Sequence, residues 1–487
     1  MIRPSLEEAK KFLNEYTVIP VCKEMFADIK TSVEILRIFM AENKKCYLLE
    51  SVESGESWGR YSFLGCDPKF TIKCNDNKIY INDCEKEEYS KDNPVKALSD
   101  IISVYKSPKL EYMPPFTGGF VGYFSYDFIK YTEKSLNLSN VNDENFDDFY
   151  LMLFDTVIAF DHLKQKIFII VNVAAKNFEE NFAKAEIKLQ EIESLIKNGI
   201  VKKEQKSELQ SDFKMLHSKK SFVNMVTEIK KYIQDGDVFQ AVISNRAEAD
   251  FSGSLLQTYR ILRTTNPSAY MFYLNFGDIE IAGASPETLV TLKNKKLTNY
   301  ALAGTCKRGI DSNEDKILIS QLLHDEKELA EHNMLVDLAR NDLGKISEFG
   351  SVKVTEYMKI LKCSHVSHIA SIVSSDINDN KYNQLDALSA VLPAGTLSGA
   401  PKKRACEIIN ALEKHKRGTY GGAIGYIDFT GNMDMCIAIR MAKLQNGKVY
   451  VQSGAGIVAD SDPEKEYNEY IQKSKAVTDA LQISKIF

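Results

Sequence analysis

Two pairs of glutamates have the type and spacing most able to do chemistry. In HDEKELAEHNMLVDLARND (324–342), Glu328 and Glu331 fall on the stripe of Leu335, Leu338 and Ala339 when successive residues turn by about 100°. In DSDPEKEYNEYIQKSKAVTDAL (460–481), which opens with the Asp and Pro of a helix start, Glu466, Glu469 and Lys473 share a stripe with Ala476, Val477 and Ala480. Two helices that each send such a pair inward would make an oxygen-rich cage. Hard divalent ions, Mg²⁺ above all, suit that donor set, and their charge offsets the cost of burying carboxylates. For either helix alone, acids at a solvated N-terminus favoured by the helix dipole are the alternative. The pattern occurring twice favours the metal.

Small residues cluster in four segments: LAGTCKRG (302–309), LPAGTLSGAPKKR (392–404), GTYGGAIGY (418–426) and QSGAGIVADSDP (452–463). Each is consistent with a tight turn or a close backbone approach. SGAGIV follows a strand pattern and precedes the acid-led helix, so its amides could hold an anion beside a metal. Arg440, in CIAIRMA, could add a bidentate carboxylate clamp or pair at the surface. GTLSGAPKK lacks the spacing of an ATP-binding loop. His365 and His368 have no third histidine nearby to complete a zinc site.

Stepping outward, the elements that must position these groups are strands in neighbouring runs with helices between the runs. Strand patterns occupy 46–52, 70–74, 78–83, 120–126, 149–161 and 165–174, and recur at 237–249, 269–284, 297–303, 364–374, 419–428, 433–442 and 448–453. Helical patterns cover 177–198, 218–236, 254–265, 314–342, 401–413 and 463–481. This order predicts an α+β fold, with large, mostly antiparallel sheets packed as a sandwich-like core and helices outside. The polar interval 202–212 is the candidate domain boundary, and the alternative is an ordinary loop between two helices.

Composition bounds the function. The 487 residues carry a formal charge of −5 with both signs interspersed, so no basic stripe invites nucleic acid. No apolar run approaches a membrane span and the N-terminus is charged, so neither membrane nor export is expected. Nine scattered cysteines without a C-x-x-C pair fit a reduced, cytoplasmic setting.

Several long motifs, in order, resemble the chorismate-utilising enzymes: IAGASPETLV (281–290), ALAGT (301–305), DEKELAEHNMLVDLARNDLG (325–344), PAGTLSGAPKKRA (393–405), RGTYGGAIGY (417–426) and QSGAGIVADSDPEKEYNE (452–469). LLESVESGESWGRYSFLG (48–65) and NPSAYMFY (266–273) extend the resemblance to component I of anthranilate synthase. It implies Glu331 and Glu469 as direct Mg²⁺ ligands, with Glu328 and Glu466 close by or bonding through water. It places chorismate against Gly304, Thr305, Thr396, Tyr420, Arg440, Gly454, Ala455, Gly456 and Lys473.

The resemblance also distinguishes members. Water-adding relatives carry a lysine base where this chain has Gln240, and an amide cannot deprotonate water at neutral pH. Aminodeoxychorismate synthase relatives carry a lysine nucleophile where this chain has Ala303. What remains is direct attack by ammonia, yielding anthranilate and pyruvate. Glu287 matches the family's general acid, His368 the histidine of the elimination step, and Thr305 and Thr396 orient the substrate.

No glutaminase nucleophile loop is present, so ammonia is expected from a separate glutamine amidotransferase subunit in a hetero-oligomer. Leu49, Glu50, Ser51, Pro267, Ala269, Tyr270 and Met271 resemble the binding elements for the feedback inhibitor L-tryptophan, with Ala269 where relatives often have proline. The implied division is a regulatory domain over 1–205 and a chorismate-binding catalytic domain over 213–487. The rival readings are an aminodeoxychorismate synthase component I and a non-catalytic amino-acid sensor.

Overall fold

The computed structural model describes residues 2–41, 45–51, 59–86, 93–138, 140–142, 144–203, 206–362 and 366–486. Among these residues the strands form a 14-stranded and an 11-stranded sheet, paired antiparallel throughout. The sheets stack on a layer of large side chains, with Tyr47, Phe63, Phe272 and Ile281 from one and Tyr123, Tyr150, Phe154 and Ile424 from the other. Burial of aromatic rings on this scale dominates the energetics of the layer.

Helices cover both outer faces. Ser32–Met40, Phe178–Asn198 and Leu256–Thr265 pack on the larger sheet. Pro94–Ser103, Glu326–Gly344 and Gln384–Val391 pack on the smaller. The expected sandwich-like α+β architecture is observed. Both sheets draw strands from either side of 206–212: Cys46–Glu50 pairs with Tyr270–Asn275, and Gly119–Phe124 with Ala423–Asp428. The apolar layers therefore run continuously through the two halves of the chain.

Three runs that read as single strands are each divided. The run 149–161 becomes Phe149–Phe154 in the smaller sheet and Thr156–Asp161 in the larger. Likewise 433–442 becomes Met433–Ile437 and Met441–Gln445, on opposite sheets, with Arg440 between them at φ +49°. The run 269–284 folds into the hairpin Tyr270–Asn275 and Ile279–Ser285 around Gly277, whose φ is +102°. A mostly apolar run carries no mark of which sheet each part joins. The helix expected over 314–342 is also two helices, Ser312–Leu322 and Glu326–Gly344, because Asp325 caps the second by accepting from the amides of Lys327 and Glu328.

Two crossings between the sheets lie side by side. At 286–287 the chain passes from the larger sheet to the smaller, and at 438–440 it passes back. The Ile437 amide donates to the Glu287 carbonyl at 3.0 Å, and the Ala284 amide to the Arg440 carbonyl at 3.1 Å. This mutual clamp brings Glu287 and Arg440 to the same opening between the sheets.

No described helix is long and apolar enough to cross a membrane. The eight described cysteines are all free thiols.

One buried ion pair anchors the turn Gly395–Leu397, which carries Thr396. Arg417 donates to Glu413 Oε1 at 2.6 Å, to the Leu397 carbonyl at 2.7 Å and to the Val242 carbonyl at 2.6 Å. Glu413 in turn accepts from the Ser244 amide at 2.7 Å. Removing one partner strands the other charge without solvent. Glu413→Ala is expected to lower stability by about 3–5 kcal/mol, read from urea unfolding. A loss under about 1 kcal/mol contradicts the anchoring role.

Candidate functional site

A cavity of about 490 Å³ opens where the two sheets part. Strand Lys296–Lys307 forms one wall, and a β-bulge interrupts its pairing with Val366–Asp376 between Ala303 and Thr305. Gly304 occupies the bulge at φ +75°, and a Cβ there would stand 3.0 Å from Ile369 and 3.4 Å from Glu328 Oε2. The bulge sets Thr305 opposite His368, whose Nδ1 lies 2.9 Å from the Thr305 hydroxyl. Burial and the charge of Arg440 hold the imidazole below its ordinary range, against a hydrogen bond with the Gly304 backbone. At neutral pH the ring is thus a neutral base.

Glu287 faces His368 into the same cavity and accepts from the Thr396 hydroxyl at 2.9 Å. Burial pushes its carboxyl up to about 7, although Thr396, Arg440 and Lys473 pull the other way. A carboxyl titrating there can donate a proton near neutrality.

The acidic floor comes from the first two turns of two helices. Glu326–Gly344 contributes Glu328 and Glu331, and Pro463–Ile483, capped by Asp462, contributes Glu466 and Glu469. The Glu328 carboxyl is raised by burial, by Glu331 and Asp325, and by Glu469 from the other helix. Glu466 is raised by burial and by Glu469, and is lowered by Ser461, Lys473 and Lys327. The two helices therefore act on each other's carboxyls. Lys473 pairs with Glu469 at 2.7 Å and reaches the Gly454 carbonyl at 3.3 Å. Among the described residues no group of three acids, histidines or cysteines stands close enough to grip an ion as placed.

The strand Lys448–Ile457 alternates its small residues. Gly454 and Gly456 face the cavity, where a Cβ would meet the Tyr420 hydroxyl at 3.0 Å and Gln240 Nε2 at 2.6 Å respectively. Ala455 does not join them. The period of two turns its methyl into an apolar cluster with Phe222, Ile408 and Tyr470, which corrects its expected place in the binding set. Gln240 lines the cavity, is 5% exposed, and its Oε1 has no hydrogen-bond partner among the described residues.

The remaining expected groups, Gly304, Thr305, Thr396, Tyr420, Arg440 and Lys473, all line this one space. Lys327, Gln452 and Ser461 line it too and were not expected. Lys327 precedes Glu328 in the capped first turn, and Gln452 shares the inward phase of Gly454 and Gly456. Those two spacings were the available signals. His365 lies outside the described residues.

A second cavity, of about 400 Å³, lies between the sheets and is lined by Leu49, Glu50, Ser51, Ala269, Tyr270 and Met271. Pro267 is exposed at the surface and does not line it. The Glu50 carboxylate is taken up by Ser32 and Tyr259, each at 2.6 Å, and by Arg263 at 2.9 Å. It is a buried structural anchor rather than a free ligand group. The Tyr270 hydroxyl donates to Asp434 at 2.8 Å. Residues 52–58 of the motif 48–65 lie outside the described residues.

A family model described as chorismate binding enzyme matches residues 44–479. The chain is 44% identical to anthranilate synthase component 1 of Acetivibrio thermocellus, over 99% of both chains. It is 42% identical to that of Aquifex aeolicus, over 99% of this chain and 98% of the relative. The solved structure of anthranilate synthase component I from Streptococcus pneumoniae TIGR4 superposes with a TM-score of 0.74 at 38% identity, covering 88% of this chain and 93% of that one. A menaquinone-specific isochorismate synthase from Escherichia coli shares the fold, with a TM-score of 0.68 at 17% identity over 98% of this chain and 100% of that one.

The raised Glu287 carboxyl ties stability to pH. Its folded-state value lies above the unfolded value, so its contribution is full in acid and is lost as pH rises through about 7. Glu287→Gln removes that loss. The stability of the variant relative to the parent is expected to rise by about 2 kcal/mol between pH 5 and pH 8, read from denaturant unfolding at both values. A difference that does not change with pH contradicts the burial of the acid.

Proposed function

Because the chain belongs to the chorismate binding enzyme family, we propose that it is the large subunit of an anthranilate synthase, a lyase that turns chorismate and ammonia into anthranilate, pyruvate and water. The observation that carries the reading is one cavity holding a raised carboxyl on Glu287, a lowered imidazole on His368 and the glutamates of two helices.

Charge decides how a dianionic substrate enters. Five carboxyls line the cavity, from Glu287, Glu328, Glu331, Glu466 and Glu469, against the cations Lys327, Arg440 and Lys473. Two unit charges about 4 Å apart interact by about 4 kcal/mol at an effective dielectric constant of 20, so this lining alone repels an anion. The all-oxygen donors and the raised carboxyls of Glu328 and Glu466, both acted on by Glu469, fit Mg²⁺, which Glu331 and Glu469 would hold with Glu328 and Glu466 beside them. Once bound, the ion supplies positive charge that draws in and polarises the ring carboxylate.

Arg440 and Lys473 then pair with substrate carboxylates, and the Tyr420 hydroxyl and Thr396 fix the ring. As ammonia bonds to C2, the C4 hydroxyl departs as water with the proton of Glu287, which Thr396 aims. The C2 ammonium returns a proton to Glu287; His368, held by Thr305, then takes the C2 proton while the ring C3–O bond breaks, giving the aromatic ring and enolpyruvate, which becomes pyruvate on gaining a proton at its methylene carbon. Gln240 offers no base to activate water, and Ala303 offers no amine to form a covalent ring adduct, which separates this reading from hydroxylating relatives and from aminodeoxychorismate synthase.

The same proposal assigns ammonia supply to a glutamine amidotransferase partner, and the 400 Å³ cavity to L-tryptophan as feedback inhibitor. Tyr61, Phe63 and Met271 offer apolar walls for an indole, and Arg60 and Lys293, paired with Asp161 and Asp434, stand at its polar margin. In this division the N-terminal half contributes regulation and the C-terminal half catalysis.

The purified chain with chorismate, Mg²⁺ and ammonium salts is expected to produce the blue fluorescence of anthranilate. Glu287→Gln and His368→Ala are each expected to lower kcat by about 10²–10⁴-fold while chorismate still binds. A folded parent that stays dark, or variants that turn over at the parent rate, refute the assignment. L-Tryptophan is expected to inhibit the parent, and Met271→Lys, which places a long cation in the cavity, to weaken inhibition by at least about tenfold. Equal inhibition of both proteins rejects this cavity as the inhibitor site.

A further inference from the structure

Behind Tyr420 lies a small space of about 20 Å³, room for one water-sized molecule. Tyr420 and Gln452 line both this chamber and the 490 Å³ cavity, so two side chains form the partition. Two polar groups of the chamber lining, Lys443 Nζ and Thr419 Oγ1, have no hydrogen-bond partner among the described residues, although the residues are only 3% and 2% exposed. Buried polar atoms are nearly always paired, so an orphan amine and an orphan hydroxyl on one small chamber point to a small polar occupant. Lys443 Nζ stands 4.0 Å from the centre of the Phe146 ring, a contact that supplies attraction but no hydrogen-bond acceptor atom.

We propose that this chamber receives and holds the nitrogen nucleophile, as neutral ammonia, one step before it enters the large cavity; the inference rests on the ammonia-using reaction proposed above. Ammonia has the size of the space. Its lone pair accepts from the Lys443 amine, and its N–H donates to the Thr419 oxygen. Ammonium ion has no lone pair to offer. It would also meet Lys443, Arg246 and Arg417 on the walls, where no carboxylate lines the chamber among the described residues. Burial pushes the Lys443 amine down to about 7 against the charges of Asp147, Asp278 and Glu144, with Arg246 adding to the depression. In either protonation state it keeps an N–H to donate.

The test compares Thr419→Leu, which fills the chamber, and Lys443→Met, which keeps its volume and removes the amine. In ammonium-dependent turnover, kcat/KM for ammonium is expected to fall by at least about tenfold in the first and threefold in the second. The chorismate dissociation constant, measured without ammonium, is expected to stay within about twofold of the parent in both. A folded Lys443→Met protein with the parent's kcat/KM for ammonium makes the chamber a structural water site and overturns the proposal. So does a loss of chorismate affinity that matches the loss for ammonium. Should Thr419→Leu not fold, Lys443→Met decides alone. A parent that forms no anthranilate overturns the reaction and the chamber with it, a result distinct from a working parent with indifferent variants.

Discussion

Carboxylates that face one another across a cavity must be neutralised, and that electrostatic demand organises this molecule. Glu328 and Glu466 sit in the first turns of helices capped by Asp325 and Asp462, so each is partly supported by its own helix dipole. That support is about 0.3–1 kcal/mol for a surface charge, smaller than the mutual repulsion of clustered acids. Lys473 offsets one of them, Glu469. Under the proposed function the remaining imbalance would attract a dication, and the dication would in turn let the hollow accept a dianion that the lining alone repels.

The sheets bring two more groups to that hollow. Glu287 and Arg440 lie at adjacent points where the chain leaves one sheet for the other, and each crossing holds the next through a backbone hydrogen bond. The second cavity is tied to the same crossings. Tyr270 lies opposite Ser285 in the ladder, two residues before Glu287. Its hydroxyl is bonded to Asp434, on the strand whose Ile437 amide holds the Glu287 carbonyl. Under the proposed function a ligand that shifts Tyr270 would pull on both sides of Glu287, and linkage would require substrate to act back on that ligand with equal free energy.

Much of this was legible in the residues. The stripes placed Phe178–Asn198, Lys402–Glu413 and Pro463–Ile483 within a residue or two, because each alternates apolar and polar faces at helical spacing. The two glutamate pairs, the bulge glycine Gly304 and the Gly454–Gly456 pair were visible as types at fixed offsets. Sheet exchange was not, since 149–161 and 433–442 are mostly apolar runs interrupted by a few polar residues such as Asp155 and Arg440, and the turning residue Arg440 is not a glycine. Ala455 was misplaced for want of strand phase. Glu50 looked available because its partners Ser32, Tyr259 and Arg263 are remote from it in sequence and meet it only in the fold. The helices Ser32–Met40, Pro94–Ser103 and Gln384–Val391, short segments between strands, were not anticipated.

The most direct measurement of the central claim is a titration of chorismate into the protein by calorimetry, without ammonium, in saturating Mg²⁺ and again in excess chelator. Charge balance in the acidic hollow predicts that the ion tightens chorismate binding by at least about tenfold, and that chorismate tightens Mg²⁺ binding by the same factor. Equal chorismate affinity with and without the ion would contradict the account, because the glutamates of the two helices would then have no bearing on how the substrate is held.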